Sequence, residues 1–137
     1  MVRVFGGKDS GACQRALRWM EKRQISCRFF SLESIRDDRL LLDAWLNAFG
    51  WAMLIDKRTA AWRHRPLDFP GSYSQPILRE FLVERPGMLK APIIEAGEAW
   101  LLGWNAPNKV RLLGHLQKNY QSAGLYGLKT SSPILVM

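Results

Sequence analysis

Ser10-Gly11-Ala12-Cys13 sets a hydroxyl and a thiol three residues apart at the start of a helical pattern. A short apolar run, residues 1–5, leads into the Gly-rich turn Gly6-Gly7-Lys8-Asp9, and the helix opens directly after it. The thiolate is the reactive form of cysteine, and the unpaired N–H groups of a helix N-terminus favour it. The spacing is that of a CxxC redox motif with oxygen in place of the first sulfur. Serine is a weak nucleophile unless a base takes its proton. The two histidines, His64 and His115, lie far along the chain. Cys13 admits two readings: a single reactive thiol that can be glutathionylated or can pair with a partner, or a small apolar residue packed under the helix. The second is favoured, because free cysteine is among the most buried residue types. Cys27 falls in a predicted inner strand and is expected in the core. Serine is also the usual engineered replacement for a reactive cysteine, and with cysteine at position 10 the turn would read Cys-Gly-Ala-Cys.

A second constellation is basic and aromatic: Lys57-Arg58, then Trp62-Arg63-His64-Arg65. It reads equally as a binding site for an anion, glutathione or an acidic protein face, and as a solvated basic loop. Neither histidine has metal-ligand spacing to the cysteines, so no metal site is expected. The 137 residues, 47% hydrophobic and 23% charged, fit one domain with a sizeable core. A net charge of +8 favours acidic partners, whether nucleic acid, acidic protein or small anions. No apolar run approaches the roughly 18 residues of a membrane span. The N-terminus lacks the apolar core of a secretory signal. Two cysteines make no disulfide framework. The expectation is a cytoplasmic protein with no membrane association.

The elements that must position these residues follow from periodicity and punctuation. Residues 1–5 suit a strand, 11–23 an amphipathic helix with Ser10 as N-cap, and 25–32 a second strand. A loop to about residue 37 precedes a helix over 38–49, stopped by Gly50. Residues 51–65 read as irregular and 66–73 as a loop; Pro76 opens a helix that runs from 74 to about 84. Residues 91–95 and 99–102 flank the turn Ala96-Gly97-Glu98 as a β-hairpin. A last helix runs from Pro107 to about Lys118, and 119–137 read as a Gly- and Ser-rich tail. The order β-α-β, helices, β-β-α is that of an α/β protein with a thioredoxin-like mixed β-sheet and an all-helical insertion over about 36–88.

Four segments within residues 2–118 carry a resemblance to the ArsC/Spx family of arsenate reductase-like proteins. They are Ser10-x-x-Cys13-x-x-Ala16-x-x-Trp19; Gly50-Trp51 with Leu54, Lys57-Arg58-Thr59 and Trp62-Arg63; Glu84 to Ile94; and Leu102-Gly103-Trp104-Asn105. The resemblance implies a domain over 1–118, a cis Pro92 beside the redox turn, and candidate redox positions at Ser10 and Cys13. It implies anion binding by Lys8, Arg58 and Lys90, with no cofactor unless glutathione. It also marks departures. Ser10 stands where the family usually has cysteine, Ala91 where an arginine precedes the cis proline, and Gly103 where an arsenate reductase places another arginine. Lysine at position 90 supplies charge without a guanidinium's bidentate fork. The likeness to Spx-type regulators implies a protein-binding module whose surface takes in Gly50, Lys57, Arg58, Trp62, Arg63 and Arg65. Its partner would be acidic, the C-terminal domain of the RNA polymerase α-subunit, with nucleic acid met through the complex. The alternative is a thiol- or glutathione-dependent reductase.

Overall fold

The computed structural model describes residues 1–71 and 73–125, with side chains described to residue 117. In chain order the elements are β1 (Val2–Gly6), α1 (Gly11–Lys22), β2 (Cys27–Ser31), α2 (Arg39–Phe49), α3 (Trp51–Leu54), α4 (Ala60–Arg63), α5 (Gln75–Val83), β3 (Ile93–Ala96), β4 (Ala99–Leu102) and α6 (Ala106–Leu125). Two 3₁₀ helices, Leu32–Asp37 and Pro86–Met88, join them. The chain divides into two compact units, Met1–Phe30 with Ala91–Met137, and Ser31–Lys90.

The first unit is built on a four-stranded sheet in the order β2-β1-β3-β4. β3 runs antiparallel to β1, with Val4 opposite Ile94, and antiparallel to β4, with Ile94 opposite Leu101. Val2, Val4, Ile94 and Leu101 bury the face on which Ala16 and Met20 of α1 and Leu112 and Leu116 of α6 pack. The three-and-four spacing of those helical residues puts them on one side of each helix, which is why the sequence pattern specifies this layer. This is the mixed α/β arrangement expected. Cys27 corrects one expectation: β2 is an edge strand, not an inner one, and Cys27 is half-buried.

In the second unit α2 packs on α3 and α5, and Leu42, Trp45, Leu54 and Leu82 are fully buried. Asp38 caps α2 by accepting from the Leu41 N–H (3.2 Å). Gly50 ends α2 at φ +76°, ψ 154°, where a Cβ would touch nothing within 4 Å; glycine is needed there for conformation and not for room. Three expectations differ. Residues 32–37 form a 3₁₀ helix that buries Leu32 and Ile35, and the supposedly irregular 51–65 holds α3 and α4. One or two turns are too short to show a period. The helix expected to end near Lys118 continues to Leu125, because serine and glycine alone do not stop a nucleated helix that adds one hydrogen bond per residue. The rest of the expected tail, 126–137, lies outside the described residues.

Candidate functional site

The Ser10 turn belongs to the first unit. Ser10 is half-buried with β-region backbone, and its Oγ accepts from the Cys13 N–H (3.3 Å), one of the orphan donors of α1. Gln14 N–H donates to the Ser10 carbonyl (3.0 Å), so the turn is fixed from both sides. Cys13 points inward and is 1% exposed. A Cβ built on Gly6 would lie 2.1 Å from its Sγ, so the sulfur occupies the space that glycine leaves at the end of β1. The same position is 3.6 Å from Ala91 Cβ. Lys8 is exposed, and its carbonyl accepts from Gln14 Nε2 (2.8 Å). Both thiols are free, and burial, followed by the nearby Glu21 charge, pushes the Cys27 thiol upward.

The end of β3 nearest this turn is shaped by backbone. The Ala91–Pro92 peptide is cis, as is Phe69–Pro70, which nothing in the sequence had marked. The Pro92 carbonyl accepts from the Gly103 N–H (2.8 Å), and Gly103 has φ +86°. Buried Asn108 holds the turn from behind, donating to the carbonyls of Leu102 and Gly103 (both 2.8 Å) while its own N–H is capped by Asn105 Oδ1 (2.9 Å). The pair Asn105-x-x-Asn108 at a helix start was the available signal for this anchor.

The anion-binding candidates Arg58 and Lys90 meet in the second unit. An isolated antiparallel bridge between Ile55 and Leu89 brings the two segments together. Asp56 N–H donates to Met88 O and Lys90 N–H to Leu54 O, each at 2.8 Å. The bridge borders an open pocket of about 440 Å³ lined by Ala52, Ile55, Asp56, Lys57, Arg58 and Lys90. Asp56, which sequence reasoning missed, organises it. Its carboxylate accepts from Arg58 N–H and Nε (3.0 Å each) and from Nη2 (3.1 Å). The Arg58 bond, aided by the Lys90 charge, holds the Asp56 carboxyl below the usual range. Arg58 is thus an exposed guanidinium with a carboxylate already in its fork, and Lys90 is half-buried beside it. The signal for Asp56 was its place two residues before Arg58 and three before the N-cap Thr59, whose Oγ1 donates to the Asp56 carbonyl (2.8 Å) and accepts from Trp62 N–H (3.2 Å).

The basic–aromatic stretch is ordered. Trp51 and Trp62 stack at 6.5 Å, and Lys57 Nζ lies 5.8 and 5.6 Å from the two rings. The Arg65 guanidinium lies 3.7 Å from the Trp62 ring centre and donates to the Trp62 carbonyl (3.0 Å). Arg63 donates to the Arg58 carbonyl (3.2 Å). Cations over indole faces are attracted by the ring quadrupole, so Lys57 and Arg65 are held on the Trp62 ring, and Arg63 on the Arg58 carbonyl, while Lys57 and Arg63 stay exposed. Among the described residues no cluster of His, Cys, Asp and Glu could hold a metal ion, and no helix is long and apolar enough to cross a membrane.

A strand-turn-helix with Ser10 at its N-cap, a cis proline opening β3 and a four-stranded mixed sheet define a thioredoxin-like protein. The ArsC family model matches residues 5–111, and the chain belongs to the ArsC family. It is 29% identical to an uncharacterized Haemophilus influenzae protein over 126 residues, covering 90% of this chain and 98% of that one. Among solved structures it resembles a protein named YFFB, with TM-score 0.72, 19% identity, and coverage of 82% of this chain and 99% of that one. It also resembles an arsenate reductase (ArsC) related protein from Brucella melitensis, with TM-score 0.63, 22% identity, and coverage of 82% and 93%. At those identities the structural likeness speaks for the fold.

Proposed function

We propose that this ArsC-family chain is a cytoplasmic protein-binding module of Spx type, not an arsenate reductase. Its partner is acidic, in the first instance the C-terminal domain of the RNA polymerase α-subunit. The observation that carries this reading is the use made of the Ser10–Cys13 pair. The Ser10 hydroxyl caps α1 and, as a serine, is a weak nucleophile unless a base takes its proton, while the Cys13 sulfur is buried against Gly6. The ordered patch of Lys57, Trp62, Arg63 and Arg65, bordered by Gly50 and Arg58, supplies the contact surface; tryptophan and arginine are the side chains most enriched at interface hot spots.

A second reading, a thiol- or glutathione-dependent reductase, draws on the pocket beside Arg58 and Lys90. It requires a thiol at position 10 or exposure of Cys13. The test is a binding titration of the purified chain with the isolated C-terminal domain of the polymerase α-subunit, with and without dithiothreitol, paired with an assay of glutathione oxidation in the presence of arsenate. Redox-independent binding, abolished in K57E/R65E, is expected. Arsenate-dependent turnover without binding would establish the reductase instead.

A further inference from the structure

The net charge of +8 is not shared evenly between the two units. Met1–Phe30 with Ala91–Met137 hold eleven Lys and Arg against four Asp and Glu, whereas Ser31–Lys90 hold nine against eight. Within the second unit many of the charges are paired, as in Arg39–Glu80, Arg79–Asp43 and Arg58–Asp56. The surplus lies in the first unit, and α1 gathers three of its cations in one line.

Arg15, Arg18 and Lys22 are all exposed on α1. At about 100° per residue they fall within about 60° of arc, together with Gly11, as one stripe opposite the buried Cys13, Ala16 and Met20. Arg15 leans toward the helix start, with Nη1 3.3 Å from where a Gly11 Cβ would stand. Among the described residues none of the three cations makes an ion pair or a side-chain hydrogen bond to another residue. The helix's carboxylate, Glu21, stands about 60° outside the stripe.

We infer that this stripe binds the phosphate backbone of duplex DNA without reading its sequence. The cations span about 10 Å at 1.5 Å of rise per residue. One DNA strand places a phosphate every 3.4 Å or so along the duplex axis, so the stripe faces about three phosphates. An acidic protein fits less well, because a protein interface needs an apolar core, and the large exposed apolar side chains, Met1, Leu40, Met53, Leu67, Ile77 and Val110, all lie off α1. A single strand fits less well because it needs open aromatic platforms. The indole on α1, Trp19, is half-buried, with Arg23 over its face at 4.1 Å and Trp104 against it at 5.2 Å. A membrane surface would likewise want apolar side chains to insert beside the cations.

The test is fluorescence anisotropy of the full chain with a labelled mixed-sequence DNA duplex across about 50 to 200 mM salt. Contact with three phosphates gives a slope of log K on log salt of about −2.7. In R15Q/R18Q/K22Q the affinity should fall at least about tenfold at the low-salt end and the slope should flatten toward zero, with unchanged circular dichroism. R18Q alone, which spares the fold if the triple variant does not, should cost about 0.9 of slope. Three results would overturn the proposal: duplex binding unaffected by these variants; no duplex binding by the wild type; or tighter binding to the matching single strand, to polyglutamate or to phosphatidylserine vesicles.

Discussion

Gly6 and Cys13 are best understood as one contact between two residues. A methyl placed on Gly6 would stand 2.1 Å from the Cys13 sulfur, so Gly6→Ala overpacks the end of β1 and should cost about 1–3 kcal/mol in urea denaturation. Cys13→Ala opens the space the new methyl needs, so the double variant should be more stable than the sum of the single effects. Independent additivity would show that the two side chains do not share that space. The two thiols should also separate by reagent access. Cys27, half-buried, should react with Ellman's reagent in the folded protein, while Cys13 should wait for unfolding. Because burial and then Glu21 raise the Cys27 pKa, less of it is thiolate at neutral pH than for a free cysteine, and its labelling should climb only at more alkaline pH. The Ser-x-x-Cys spacing and the preference for a buried Cys13 were legible in the sequence. The role of Gly6 was not, because the contact joins a strand end to a helix and leaves no periodic trace.

At the scale of elements, caps and turns carry the candidate site. Ser10→Ala removes the acceptor for the Cys13 N–H and should lower stability by about 1 kcal/mol, whereas Ser10→Gly should cost only a few tenths, roughly, since glycine tolerates the N-cap backbone. Equal losses would mean the hydroxyl does something other than cap. The Asp56–Arg58 turn offers a pH test. The folded carboxyl lies below its unfolded value of about 3.9, so the stabilisation is complete above roughly pH 5 and disappears as pH falls through the folded value. Asp56→Asn should therefore be less stable than wild type at pH 7 by about 0.5 kcal/mol, a small figure because Arg58 is open to water, and the gap should close in acid. A gap that stays constant with pH would trace to the turn's geometry instead of its charge. The long amphipathic helices and the hairpin were readable because they repeat. α3, α4 and the 3₁₀ helices were not, being one or two turns decided by local capping and by the bridge between Ile55 and Leu89.

For the whole molecule, the element order and the ArsC resemblance were enough to give the sheet and its helical insertion, while pairing decided what sequence could not. Arg58 reads as a spare cation in one dimension, yet its partner Asp56 sits two residues away; Lys90 joins them only through chain reversal. The basic run over 57–65 is the densest cluster of cations in the sequence, although the surplus of charge lies in the other unit. That uneven division makes salt act with opposite sign on the two units. In the sheet unit, ions soften repulsion among unneutralised cations; in the helical unit they weaken attraction between Arg39 and Glu80 and between Arg79 and Asp43. Raising ionic strength should slow amide exchange in β1 and β3 and quicken it in α2 and α5, and parallel changes in both would refute the division. A melting curve that looks indifferent to salt would then be the visible residue of two responses in balance, and a buffer chosen to steady one unit would loosen the other.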